Sequence, residues 1–241
     1  MNTLHNFIFN VYPYICLAVF FMGSLARFDR DQYTWKSDSS QLLRKAQLRW
    51  GSNLFHGGIL FLFFGHLFGQ LTPHGLYEIF VTASQKQLIA VVAGGVAGGL
   101  CFIGLTMLLH RRLFDPRIRL TSHRTDIAIL VILWVQLVIG LSTLPASLHH
   151  VKDPQTMLRL AEYLQGIVLM QPNAALVAGV EWHFQAHMLL GMTIFLLFPF
   201  SRLVHVWSGF GTVAYLFRPY QMVRSRRLNV PARQNLPRRA S

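Results

Sequence analysis

The sequence predicts an all-α integral membrane protein, a bundle of five transmembrane helices with its N-terminus outside and its C-terminus inside. Three observations carry that reading. Of 241 residues, 53% are hydrophobic and only 13% charged, against roughly a quarter charged in soluble proteins. Five stretches reach the length of roughly 20 mostly apolar residues that a bilayer core of about 30 Å demands: Leu4–Ala26, Asn53–Leu71, Leu88–Leu109, Asp126–Pro145 and Phe184–Trp207. The basic residues also alternate between connections. Arg27–Trp50 holds six Lys and Arg, Arg111–Arg124 five, and the chain from Arg202 onward eight, whereas residues 1–26 and Leu71–Gln85 hold none and Ala146–Val180 two. Cytoplasmic loops are the ones enriched in Lys and Arg, which sets the orientation.

Taken in order, the first span lacks a basic leader and a following small-residue cleavage site, so it reads as a membrane helix and not as a cleavable signal. The second to fifth spans follow from apolar length. Between the fourth and fifth, Met157–Met170 is apolar on one side but contains Arg159, Glu162 and Gln165. It reads as an amphipathic helix lying at the interface, because a sixth span would break the alternation of basic loops. The end of the chain, Arg224–Ser241, has six Arg, Pro231, Pro237 and no acid. It is expected to be a cytoplasmic extension touching anionic lipid or a partner, beyond a membrane domain of residues 1–223. The excess of 22 basic over 9 acidic residues is thus a topology signal, with no nucleic acid implied. Cys16 and Cys101 lie inside spans and no C-x-x-C-H occurs, which excludes covalent c-type haem and suggests no disulfide framework.

Eleven histidines separate by location. His5, His74, His110, His123, His149 and His150 fall at span ends or in loops, as solvated side chains do. His56, His66, His187 and His205 fall within or at the inner edge of spans two and five, where an ionisable group is functional by default. Topology gives each a depth: His66 and His187 lie near the outer face, His56 and His205 near the inner one. Neutral imidazole ligates haem iron, and two axial imidazoles saturate it. Two b-type haems, one for each pair, are the reading the spacing favours, with a metal-ion path or purely structural histidines as alternatives. His183, one turn before His187, is a rival for the outer position, though His187 lies deeper. Gly57, Gly58, Gly65, Gly69 and Gly191 would leave room for a flat macrocycle. One mismatch stands: His56 and His66 are ten residues apart, about 15 Å of helical rise, but His187 and His205 are eighteen apart, about 27 Å. Helix tilt is the expected remedy.

Several runs carry a resemblance. They are Tyr12-Pro13-Tyr14-Ile15, Gln32-Tyr33-Thr34-Trp35, Ser52-Asn53-Leu54-Phe55-His56, Gly65-His66 and Leu71-Thr72-Pro73-His74. Arg111-Arg112-Leu113-Phe114 with Pro116-Arg117 follows, then His187, Gly191-Met192-Thr193, Phe195-Leu196-Leu197-Phe198-Pro199-Phe200-Ser201-Arg202-Leu203 and His205. Together they resemble the gamma subunit of membrane-bound respiratory nitrate reductase, a dihaem cytochrome b, over residues 12–208. The resemblance implies bis-His ligation by His66 with His187 and His56 with His205, favouring His187 over His183. It implies oxidation of menaquinol or ubiquinol near the outer haem, with Lys86, Gly65 and His66 at the quinol pocket. Lys86 taken alone also fits a snorkelling anchor. The implied partners are an iron–sulfur beta subunit and a molybdenum alpha subunit where nitrate is reduced, in a bacterial cytoplasmic membrane; this chain has no motif for either centre. Arg112 and Arg202 are candidates for pairing with haem propionates. The sequence departs from the family pattern between His149 and Val180 and after Val223. The rival readings are a haem b anchor of a related quinone-linked complex and a His-lined metal transporter.

Overall fold

A computed structural model describes residues 2–31 and 45–208. Gln32-Tyr33-Thr34-Trp35, the basic tail Arg224–Ser241 and the expected boundary after residue 223 lie outside the described residues. The chain divides into a unit Met1–His205 and a unit Val206–Ser241; of the latter only Val206–Ser208 are described, and they are helical.

All regular structure among the described residues is helical. The chain opens with α1 (Thr3–Asn6), a π-helical turn Phe7–Val11, and α2 (Tyr12–Arg30). Pro13 explains the irregular start. It offers no N–H to the carbonyl four residues before it, that of Phe9, and the Tyr163 hydroxyl donates to that carbonyl instead at 2.7 Å. Then come α3 (Lys45–Leu71), α4 (His74–Tyr77), α5 (Ala83–Phe114), α6 (Pro116–Leu120) and α7 (Arg124–His149). A reciprocal cap starts α5: Gln85 N donates to Thr82 Oγ1 at 3.3 Å and Thr82 N to Gln85 Oε1 at 2.9 Å. Asp115 caps α6, its Oδ1 accepting from Arg117 N at 3.0 Å.

Among the described residues five helical segments are long and apolar enough to cross a membrane: Thr3–Arg30, Ala46–Leu71, Ala83–Phe114, Arg124–His149 and Trp182–Phe200. They coincide with the five apolar runs and overrun them at most ends, since caps and charged turns continue a helix past its apolar stretch. The segment expected to be amphipathic is α8 (Gln155–Val168), followed by a 3-10 turn Ala174–Leu176. It buries Leu160, Ala161, Tyr163 and Ile167, and its Tyr163 and Ile167 join Phe9, Ala174 and Val177 in one apolar cluster.

The long helices form an arc. α3 packs on α5, α5 on α7, α7 on α9 (Trp182–Leu197), and α9 on α2. Glycine permits the closest of these contacts. A Cβ on Gly104 would strike the Phe55 amide nitrogen and lie 2.8 Å from the Gly51 carbonyl oxygen; one on Gly58 would lie 2.7 Å from Cys101 Cβ. Main chain cannot move aside as a side chain can, so α3 and α5 touch backbone to backbone through small residues. Gly58, grouped above with the macrocycle space, therefore serves helix packing. Nothing lies within 4 Å of a Cβ on Gly57, Gly65 or Gly69, whereas one on Gly191 would lie 3.3 Å from Gln136 Nε2.

The fifth span departs from the sequence reading. Phe184–Trp207 is not one helix: α9 ends at Leu197, and two 3-10 turns follow, Phe198–Phe200 and Arg202–Val204. Pro199 causes the break, because it lacks the N–H that would continue the ladder and its ring clashes with the preceding turn. Ser201 between the turns is extended (φ −119°, ψ 175°) and caps the second one, its Oγ accepting from Leu203 N at 3.2 Å. The straight-helix rise of eighteen residues therefore does not apply between His187 and His205.

Candidate metal centres at two pairs of facing histidines

α3 and α9 carry His56, His66 and His187, and the turn after α9 delivers His205. These two elements are not among the closely packed helix pairs of the arc; the gap between them is spanned by side chains. The rings of His66 and His187 stand 6.2 Å apart between centroids, and those of His56 and His205 6.3 Å apart. The pairing expected from depth is the pairing observed. His183 sits instead against Trp182 and Phe184.

Each of the four rings is oriented by a backbone carbonyl at Nδ1. His56 Nδ1 lies 2.7 Å from Ser52 O, with Ser52 Oγ at 3.1 Å; His66 Nδ1 lies 2.7 Å from Leu62 O. His205 Nδ1 lies 2.6 Å from Arg202 O, and His187 Nδ1 3.2 Å from Gln136 O. A carbonyl oxygen only accepts, so each Nδ1 is the protonated nitrogen and each Nε2 keeps its lone pair. That is the tautomer a metal needs, held as outer-shell partners hold ligating imidazoles. Among the described residues no three His, Cys, Asp or Glu gather to hold a bare ion.

The other expected residues fall at the two ends of the helices. At the His66 end, Lys86 begins α5 and its Nζ lies 3.5 Å from the centroid of the Tyr77 ring, a cation–π contact. The Tyr77 hydroxyl is buried without a hydrogen-bond partner. Gly65, beside His66, faces open space. At the His205 end, Arg112 and Arg202 converge on one carboxylate: each NH1 lies 3.6 Å from Asp126 Oδ2, and Arg112 NH1 also donates to Ser122 Oγ at 2.8 Å.

The nitrate reductase gamma subunit family matches residues 5–226. The chain belongs to that family. The respiratory nitrate reductase 2 gamma chain of Escherichia coli (strain K12) is 50% identical over 94% of this chain and 100% of its own length. The respiratory nitrate reductase 1 gamma chain of the same organism is 48% identical over the same shares. The nitrate reductase gamma chain of Bacillus subtilis (strain 168) is 36% identical over 91% of this chain and 97% of its own.

Two further residues of this gamma-family chain escaped the sequence reading. Gln136 Nε2 donates to the His187 carbonyl at 3.0 Å and stands 3.4 Å from His187 Nε2. Gly140, one turn on, lets the imidazole lie close on α7, since a Cβ there would come within 2.7 Å of His187 Cε1. The signal for Gln136 was present: an uncharged amide in the middle of an apolar span demands a partner. No comparable signal marked Gly140, because its constraint comes from another helix.

The loop facing the His187 end holds a hydrogen bond between His150 Nε2 and Glu181 Oε1 at 2.8 Å. Glu181's carboxyl is held below its ordinary value of 4.5, first by its own backbone N–H and then by the His150 bond. A depressed carboxyl contributes stability that is present above 4.5 and lost as pH falls through the folded value. Thermal midpoints of the wild type and Glu181→Gln are therefore expected to differ modestly at neutral pH and to converge in acid below 4.5. A difference that persists there would contradict the role of the carboxylate.

Proposed function

We propose that this chain is the quinol-oxidising membrane anchor, a dihaem cytochrome b, of respiratory nitrate reductase. It takes electrons from menaquinol or ubiquinol near the outer face of a bacterial cytoplasmic membrane and delivers them to an iron–sulfur beta subunit inside, for nitrate reduction by a molybdenum alpha subunit. The observation that carries this is the spacing of the two imidazole pairs. Two imidazoles on opposite sides of one iron, with metal–nitrogen bonds of about 2 Å, place their ring centres roughly 6–6.5 Å apart; the observed values are 6.2 and 6.3 Å. The Nδ1–carbonyl bonds and the open space at Gly57, Gly65 and Gly69 fit the same group.

His66 and His187 would hold one haem and His56 and His205 the other, each supplying one-electron transfer with no coordination position left for oxygen chemistry. The chain's own contribution is positional. Ser52, Leu62, Gln136 and Arg202 carbonyls fix the ring tautomers, and Gly140 admits the His187 ring. At the outer end we assign quinol to Lys86, Gly65 and His66. A cation there stabilises the deprotonated quinol oxygen, and the Tyr77 ring under Lys86 holds the ammonium in place. The N-terminus lies outside, and residues 1–223 form the membrane domain with the basic tail on the cytoplasmic side.

The test uses the assembled complex in membranes. Quinol should reduce the b-type haem and nitrate should reoxidise it, both followed by haem absorbance, and Lys86→Ala should weaken binding of a quinol-site inhibitor with haem content unchanged. Inhibitor binding unaffected by Lys86→Ala would return Lys86 to an anchor, and haem that nitrate cannot reoxidise would contradict the assigned partners.

A further inference from the structure

The break after α9 leaves two main-chain carbonyls without their helical donors. The Pro199 carbonyl would take the N–H of Leu203, but that donates to Ser201 Oγ. The Ser201 carbonyl would take the N–H of His205, but that donates within the 3-10 turn, to Arg202 and Leu203 carbonyls. Pro199 and Ser201 are both buried, where an unpaired main-chain carbonyl costs free energy. Both are met by one side chain from α2: Arg27 NH1 donates to Pro199 O at 2.7 Å and to Ser201 O at 2.8 Å. One turn earlier on the same face of α2, Gly23 lies against the same proline, where a Cβ would come within 2.8 Å of Pro199 Cγ and 2.9 Å of Pro199 Cβ.

We infer that Arg27, with Gly23 fixing its approach, is a positioning residue for His205. The path is short. Arg27 holds the carbonyls on both sides of the break, the held Ser201 starts the Arg202–Val204 turn, and the Arg202 carbonyl takes His205 Nδ1–H at 2.6 Å. The turn is tethered on its other side by Arg202 NH1 to Asp126. Arg27 thus sets the height and rotation at which the His205 imidazole meets His56 without touching either ring. Hydrogen bonding to charged donors is stronger than between neutral groups, which suits a load carried by one side chain. The feature invisible in the sequence is that a basic residue of the first cytoplasmic connection serves the fifth span.

This inference rests on the reading that His205 is an axial haem ligand, so the experiment separates the two. Arg27→Met, Arg27→Lys, Gly23→Ala and His205→Ala are made in the full complex. Haem content, the low-spin resonance of each haem and each midpoint potential are measured in membranes. Arg27→Met should shift the resonance and potential of the inner haem alone and weaken its retention roughly tenfold, as loss of an outer-shell partner does. Arg27→Lys should restore part of the signal, and Gly23→Ala, which keeps the guanidinium, should perturb the same haem if Arg27→Met fails to assemble. Unchanged inner-haem signals in Arg27→Met and Gly23→Ala would overturn the inference, as would equal changes at both haems. Retention of both haems in His205→Ala would overturn the ligand reading itself, whatever the Arg27 variants show.

Discussion

On the proposed ligation, membranes carrying His66→Ala are expected to hold one b haem fewer than the wild type, with quinol-driven nitrate reduction lost. The haem expected to go is the one His66 is proposed to share with His187, whose ring lies 6.2 Å away; His56 and His205 are left intact. Losing even an outer-shell partner costs about 10–100-fold in metal affinity, so loss of an axial ligand should weaken retention by about 100-fold or more. The variant should still reduce nitrate when a soluble dye supplies electrons to the partner subunits directly, which separates a broken electron path from a failed assembly. A His66→Ala protein with two haems of wild-type spectrum would exclude His66 as a ligand.

The second large effect is expected at Asp126. Its carboxylate is shared by Arg112 and Arg202 at 3.6 Å each, and the three side chains are only 12–16% exposed. Removing one partner of a fully buried ion pair costs about 3–5 kcal/mol because the other charge is left uncompensated. The residual exposure and the long contacts place Asp126→Ala lower, at about 2–3 kcal/mol by the same reasoning. Asp126→Glu should recover part of that. The damage should be local: Arg202 opens the turn that ends at His205, so on heating the inner haem should be released before the outer one. Simultaneous release of both haems would show that Asp126 supports the bundle as a whole and not this turn.

Much of this was legible before any coordinates. Five runs of apolar residues translate into five helices because a bilayer fixes length and forbids unpaired main chain. Depth along two antiparallel runs was enough to match His66 with His187 and His56 with His205, and the ring contacts follow that match. What stayed hidden were relations between helices. Gly58 reads like its neighbour Gly57, yet one is pressed on Cys101 and the other faces open space, a difference set by where α5 happens to lie. Gly140 is an ordinary small residue until the His187 ring lies across it. Pro199 went unread as a breaker inside the fifth apolar run, and its consequence depends on Arg27, 172 positions away, closing the carbonyls that the break opens. Periodicity reports which face of a helix is apolar; it does not report which residue from elsewhere will sit on that face.

The central claim is that two imidazole pairs hold two six-coordinate b haems. The most direct measurement is haem quantification of the purified complex together with its reduced spectrum in the presence and absence of carbon monoxide. Two b haems per gamma chain, low-spin in both redox states and with a spectrum unmoved by carbon monoxide, is the predicted result. One haem or none, or a haem that binds carbon monoxide through an open position, would contradict it.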